Sequence, residues 1–177
     1  MSKFWGLGHI LLIMTGFVAL LTVIPRIDPY KKNYEKFGGY YEGFILLFVF
    51  FMLTIQVQII HWSSEYRISP NLTFPVLIGT LFIYIGFLLG HAEQNWFVGI
   101  RTPWTLSSET VWKKTHEIGG KLFKIAGVIA FAGVLAGEYA IWFILVPVLA
   151  VAVFTVAYSY FEYQKELKSK GKMVKIF

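Results

Sequence analysis

The chain contains no cysteine, so neither disulfides nor thiolate metal sites can form, and cysteine usage says nothing about its redox compartment. Charge is scarce too: 15% of the 177 residues are Asp, Glu, Lys or Arg, against about a quarter in soluble domains. Acids are the scarcer sign, 10 against 16 Lys plus Arg, which leaves a net charge of +6. That excess does not describe a nucleic-acid surface, because the basic residues sit beside apolar runs rather than in one compact block. No internal repeat and no linker divides the sequence. Catalytic patterns are missing as well. Ser107 and Ser108 lie in no G-x-S-x-G elbow, there is no phosphate loop, and His116-Glu117 is followed by Gly119-Gly120 rather than by the second His of H-E-x-x-H.

What the sequence has in quantity is apolar residues, 56% of the total. A helix needs about 20 of them to cross the hydrocarbon layer, and the runs are long enough for five spans, at about 7–24, 44–62, 72–89, 118–136 and 139–161, with a basic tail over 162–177. The fold class is therefore all-α integral membrane, a single polytopic domain over 1–177 with five transmembrane helices. The first run reads as a retained span rather than a signal peptide, since Lys3 alone precedes it and no small-x-small site occurs before Ile24-Pro25. Gly137-Glu138 leaves room only for a tight turn between the last two spans, and Pro147 predicts a kink in the fifth. Ala126, Ala130, Gly133 and Gly137 fall on one face of the fourth span, and Gly86 and Gly90 end the third, as expected of helices that approach closely.

Basic residues set the orientation. With five spans, Lys3 and Arg67 fall on one side and the other fourteen Lys and Arg on the opposite side. This predicts a multi-pass protein of the cell membrane with its N-terminus outside and its C-terminus cytoplasmic. Two amphipathic segments are then expected at the cytoplasmic headgroup level. In the first, Asp28-Pro29 reads as N-cap and first helical residue, Gly38-Gly39 as a stop, and Tyr30, Tyr34, Phe37 and Tyr41 as one face. In the second, Ser107 or Ser108 caps, Glu109 sits in the first turn, and Trp112, His116, Gly119 and Phe123 share a face.

Two polar stripes lie within or near the spans. Thr54, Gln58, His61 and Glu65 follow helical spacing on the second span, and Thr73, Thr80, Tyr84, His91 and Asn95 do so on the third. Facing each other they would form a polar seam able to bind or pass an anionic lipid headgroup; alternatively they bond helix to helix. The most polar connector runs from His91 to Gly120 and holds Trp96, Trp104, two His and Arg101. Gly99 permits a tight turn and Pro103 restricts the backbone before it, so Arg101 is suited to bidentate recognition of a carboxylate or phosphate. The alternative is an Arg that snorkels to any headgroup, with the two Trp as belt aromatics. A metal site formed by His91, Glu93 and His116 is geometrically conceivable, but isolated His without a spacing pattern are usually not ligands, and neither metal nor cofactor is expected. Arg26, Asp28, His91, Asn95, Arg101 and His116 all fall at one leaflet boundary and are expected to converge.

The segments Ala92-Glu93-Gln94-Asn95, Gly99-Ile100-Arg101-Thr102-Pro103-Trp104-Thr105-Leu106 and Glu109-x-Val111-Trp112-Lys113 resemble the signature of the SdpI family. Ile24-Pro25-x-Ile27-Asp28-Pro29, with Asn33 and Tyr34, resembles that family's preceding loop, so the likeness runs from Ile24 through the fifth span. Such proteins are small and polytopic, and are named for a bacterial immunity protein against the peptide toxin SDP. The resemblance implies that Asn95, Gly99, Arg101, Thr102, Pro103, Trp104 and Trp112 occupy signature positions. It also implies a non-enzymatic immunity or signalling role, with membrane lipids and a peptide toxin or cytoplasmic regulator protein as partners. Fuller members carry an additional N-terminal span and outer loop, and this chain is expected to be a form without them. The partner-binding candidates are those seven residues with His91, Glu93, His116, Arg26, Asp28 and Asn33.

Overall fold

The computed structural model describes residues 3–62 and 68–174, and every regular element among them is helical. Long helices α1 (Lys3–Ile27), α2 (Tyr34–Trp62) and α3 (Pro70–His91) come first, with a 3-10 turn at Lys31–Asn33 between α1 and α2. The short α4 (Pro103–Ser107) leads into α5 (Glu109–Ala132), and a 3-10 turn at Gly133–Tyr139 reverses the chain into α6 (Ala140–Val174). Four stretches of the described residues are long and apolar enough to cross a bilayer: Gly8–Ile27, Lys31–His61, Pro70–His91 and Glu109–Gly171. The fourth holds two helices, because Gly137 adopts φ +54° and turns the chain back, which Gly alone does cheaply. Large apolar side chains such as Leu12, Leu46, Leu149 and Val153 face outward from these helices, where lipid rather than water must surround them. The protein is an all-α integral membrane protein.

Its centre is the antiparallel pair α3 and α5. A Cβ added to Gly86 would lie 2.6 Å from the Gly120 carbonyl oxygen, and one added to Gly120 would lie 2.6 Å from that of Gly86. Gly79 and Gly127 repeat the arrangement at 2.8 and 2.6 Å. The two backbones therefore touch at two levels, with no room for a side chain at either. Around this pair, α6 folds back on α5 and also touches α3, α2 flanks α3, and α1 flanks α2. Ala126 and Ala130 are buried on α5 as their spacing suggested, and so is Gly133.

Several expected boundaries shift, each for a visible reason. The first helix passes Pro25 and ends at Ile27, where the Asp28 amide closes on the Ile24 carbonyl at 3.2 Å. Asp28-Pro29 does not start a helix; Asp28 sits in a turn, and α2 begins at Tyr34. Gly38-Gly39 stops nothing, and α2 runs on to Trp62 as one rod. Two helical Gly cost about 1 kcal/mol each, whereas Tyr34, Phe37 and Tyr41 are all buried, at about 1.5–3 kcal/mol per large apolar side chain. Packing wins. The same burial means that these aromatics face protein rather than headgroups, so the first segment is no free interfacial helix. Likewise α5 starts at Glu109, with Trp112 and His116 inside the protein, and the expected tail continues as helix to Val174.

Crowding at the helix crossing generates a test. Gly127→Leu should lower stability by about 1–3 kcal/mol or more, the usual penalty of overpacking. Gly16→Ala, where nothing lies within 4 Å of the new methyl, should leave the melting temperature in detergent unchanged or slightly raised, as followed by far-UV circular dichroism.

Candidate functional site

Between α3 and α4, residues 92–102 form an ordered loop across one end of the bundle. Asn95 is its hub and is fully buried. Its Oδ1 accepts from the amides of Phe97 (2.9 Å) and Val98 (2.6 Å), and its Nδ2 donates to the carbonyls of Glu93 and Val98, both at 2.9 Å. Every hydrogen-bonding position of the amide is used. Asp28, also buried, ties this hub to the turn after α1. Its carboxylate accepts from the amides of Tyr30 (2.7 Å) and Trp96 (2.9 Å) and from the Tyr34 hydroxyl (3.1 Å). The Tyr34 hydroxyl also lies 3.3 Å from Asn95 Oδ1. Asn33 donates to the Gln94 carbonyl at 2.6 Å, and Lys36 stands 3.8 Å from the half-buried Glu93.

The far end of the loop is locked on α5. Gly99 takes φ +117°, which favours Gly, and its Cα faces the His116 ring so closely that a Cβ would fall 2.2 Å from Nε2. His116 donates from Nδ1 to the Trp112 carbonyl (2.9 Å) and accepts at Nε2 from the Ile100 amide (2.9 Å), so the geometry assigns the neutral Nδ1–H tautomer. The Ile100 side chain lies over Gly119, where a Cβ would collide at 2.4 Å. Trp112, fully buried and stacked on His116, donates its indole N–H to the Ala92 carbonyl at 2.8 Å.

Thr102 then caps α4. Its hydroxyl accepts from the Thr105 amide while the Thr105 hydroxyl accepts from the Thr102 amide, a reciprocal box with Pro103 in the first turn. Thr102 also reaches Ser159 of α6 at 3.0 Å, and Trp104 packs edge-on against Tyr160. Ser108 caps α5 through the Val111 amide and donates to Glu166, while Glu162 holds Lys114 at 2.9 Å and Lys165 at 2.6 Å. Sequence reasoning missed Ser159, Glu162 and Glu166. Their only signal was acids recurring among lysines where the apolar run ends.

Arg101 is exposed, and its guanidinium donates to the Trp96 carbonyl. That bond holds the side chain while most of its five N–H donors stay available. Trp96 and Phe97 are exposed beside it. Of the six groups expected to converge, Asp28, Asn95, Arg101 and His116 belong to this one loop assembly. His91 does not; it bonds the Phe87 carbonyl and stacks on Tyr40 at 3.8 Å. Arg26 lies apart, in a groove between α1 and α2. His116 has no lone pair left for a metal, and the described residues contain no cluster of His, Asp and Glu able to hold one.

The polar stripes do not form a continuous seam. Gln58 bonds the Ile68 carbonyl and Thr73 (3.2 Å), and Tyr84 reaches the Tyr40 carbonyl at 3.2 Å beside Gly43. Thr54, His61 and Thr80 bond carbonyls of their own helices. Glu65 lies outside the described residues.

Fold and site together define a multi-pass helical membrane protein whose inter-helix loop is built as rigidly as a core. Residues 91–159, which span that loop, α5 and much of α6, match the SdpI/YfhL protein family. The chain is also 34% identical over 122 residues to the immunity protein SdpI of Bacillus subtilis (strain 168), an alignment that covers 68% of this chain and 56% of that protein. The chain belongs to the SdpI family. It spans a little over half the length of that curated relative, and no solved structure matches it.

One outcome tests the loop's construction. Asp28→Ala removes the acceptor of three donors, of which the Tyr34 hydroxyl is buried, at about 1–3 kcal/mol per unsatisfied buried group, and should open residues 92–102 to limited proteolysis.

Proposed function

We propose that this chain is a non-enzymatic membrane protein of the immunity or signalling type. It binds a peptide or protein partner, such as a peptide toxin or a regulator protein, through the 92–104 loop. The whole chain acts as a single membrane domain, with the loop on the cytoplasmic side and the N-terminus outside, as the partition of two against fourteen basic residues favours.

The observation that carries this reading is the presentation of Arg101. A planar guanidinium is tethered to Trp96, flanked by exposed aromatics, and mounted on a loop locked at both ends. A cation in that setting suits a carboxylate on an amphipathic partner, since Arg pairs bidentately and stacks on rings. Rigid mounting also lowers the entropy lost on binding. The name of the B. subtilis relative supports the immunity reading. Binding or translocation of an anionic lipid through a seam between α2 and α3 has less behind it, because the polar groups there are engaged in bonds within or between the helices.

Arg101 is exposed, so Arg101→Ala should hardly change the melting temperature. It should reduce partner capture in a membrane cross-linking and pull-down assay by about tenfold, the worth of one charge-assisted pair, and sensitise cells to the cognate toxin. Arg101→Lys should restore only part. Unchanged capture by the Ala variant would remove the loop as the recognition element.

A further inference from the structure

A second polar site lies at the loop end of the bundle, on the opposite side of Tyr34. It is an open groove of about 720 Å³ between the end of α1 and the beginning of α2. Two features single it out. First, its charges are unpaired. Glu93, Glu109, Glu117, Glu162 and Glu166 each hold a lysine. Among the described residues, Arg26, Lys31, Glu35 and Glu42 take part in no such bridge, yet all four line this groove. Second, Gly38 and Gly39 also line it, with nothing within 4 Å of where their Cβ atoms would be. The glycines on α3 and α5 allow backbones to touch; these two touch nothing. Their cost to the helix, about 1 kcal/mol each, brings no packing in return, and their effect is to clear space.

The groove is also graded along the helices. Arg26, Lys31 and Glu35 stand at the facing ends of α1 and α2, while Thr22 and Ile45 lie further along the two helices, away from those ends. An occupant must therefore be amphipathic and carry both signs of charge at its polar end. The geometry points to a headgroup site for a zwitterionic phosphoethanolamine lipid. Its phosphate would be held by Arg26 and Lys31, its primary ammonium by Glu35, and its glycerol would lie against the glycine floor, with Glu42 adding negative charge about two turns further along α2. Cations of this kind bind phosphate, and an ammonium binds a carboxylate, through charge-assisted hydrogen bonds. The site lies outside the protein-binding reading of Arg101 and does not depend on it.

The test uses the purified full chain in detergent with equimolar phosphatidylethanolamine, phosphatidylcholine and phosphatidylglycerol of matched acyl chains, and native mass spectrometry counts the lipid retained. Phosphatidylcholine keeps the phosphate but has no ammonium N–H, and phosphatidylglycerol keeps the phosphate without a cation. Phosphatidylethanolamine should be retained about fivefold over either, the scale of one charge-assisted pair at an interface. Glu35→Gln with Glu42→Gln should bring phosphatidylethanolamine and phosphatidylglycerol to parity, and Arg26→Gln with Lys31→Gln should lower all three. Gly38→Leu, which fills the groove and leaves every charge in place, should abolish the preference. Arg101→Ala should not affect it, which separates this site from the loop. Equal retention of the three lipids by the unmodified chain would mean ordinary annular lipid and overturn the inference. So would a preference that survives either Gly38→Leu or the double carboxylate change.

Discussion

Backbone contact between α3 and α5 is the constraint on which the other features depend. In lipid, apolar side chains gain nothing by leaving the acyl chains for one another, so helices associate through close packing and polar bonds. The reciprocal pairs Gly79–Gly127 and Gly86–Gly120 allow that closeness at two levels, and two contacts fix a register where one would leave a pivot. Once the register is fixed, so is the gap between the end of α3 and the start of α5. Residues 92–108 bridge a gap of set width rather than a variable one. The adjacent Gly119 and Gly120 divide the work on a single turn: Gly120 receives α3, and Gly119 receives Ile100 of the loop.

A loop on that platform must still satisfy its own backbone, since an unmet buried donor costs about 1–3 kcal/mol. It does so with short polar side chains. Asn95 satisfies four backbone groups, Asp28 two amides and one hydroxyl, and His116 one group at each nitrogen. Thr115, whose buried hydroxyl has no partner among the described residues, is the exception. Such networks cost desolvation whether or not they are complete, so nearly complete satisfaction makes the loop stiff rather than merely stable. Removing one member strands several others, which is why single changes here act on the whole loop.

Local chemistry was legible in the sequence where one residue acts on its neighbours. The turn at Gly137, the Ser108 cap, the positive φ at Gly99 and the grouping of the loop residues all follow from near-range rules. Features set by distant packing were not. Gly38-Gly39 has the composition of a stop, and only the burial of Phe37 and Tyr41 against other elements shows why the helix continues. Asp28-Pro29 has the form of a cap, but the Asp28 carboxylate is claimed by an amide 68 residues away. Gly79 and Gly127 carry no mark that distinguishes them from lipid-facing glycines until the partner helix is in place. The polar stripes were legible only in part: Gln58 with Thr73, and Tyr84 with the Tyr40 carbonyl, bond helix to helix, whereas Thr54 and Thr80 bond a carbonyl one turn back in their own helices, which spacing alone does not distinguish.

Tyr34 connects the two polar regions at this end of the bundle. Its ring lines the groove between α1 and α2, and its hydroxyl lies between Asp28 and Asn95, the two residues that hold the loop. A hydroxyl has one proton, and with Asn95 Oδ1 already accepting from the Phe97 and Val98 amides, that proton goes to the nearer Asp28 carboxylate at 3.1 Å. Tyr34 begins α2, and the first turns of α2 form one wall of the groove. The groove wall and the loop therefore share an anchor: the Tyr34 hydroxyl meets Asp28, Asp28 meets the Trp96 amide, and Arg101 meets the Trp96 carbonyl. Each link is a direct hydrogen bond, and the chain of them is short because α2 starts where the loop is anchored.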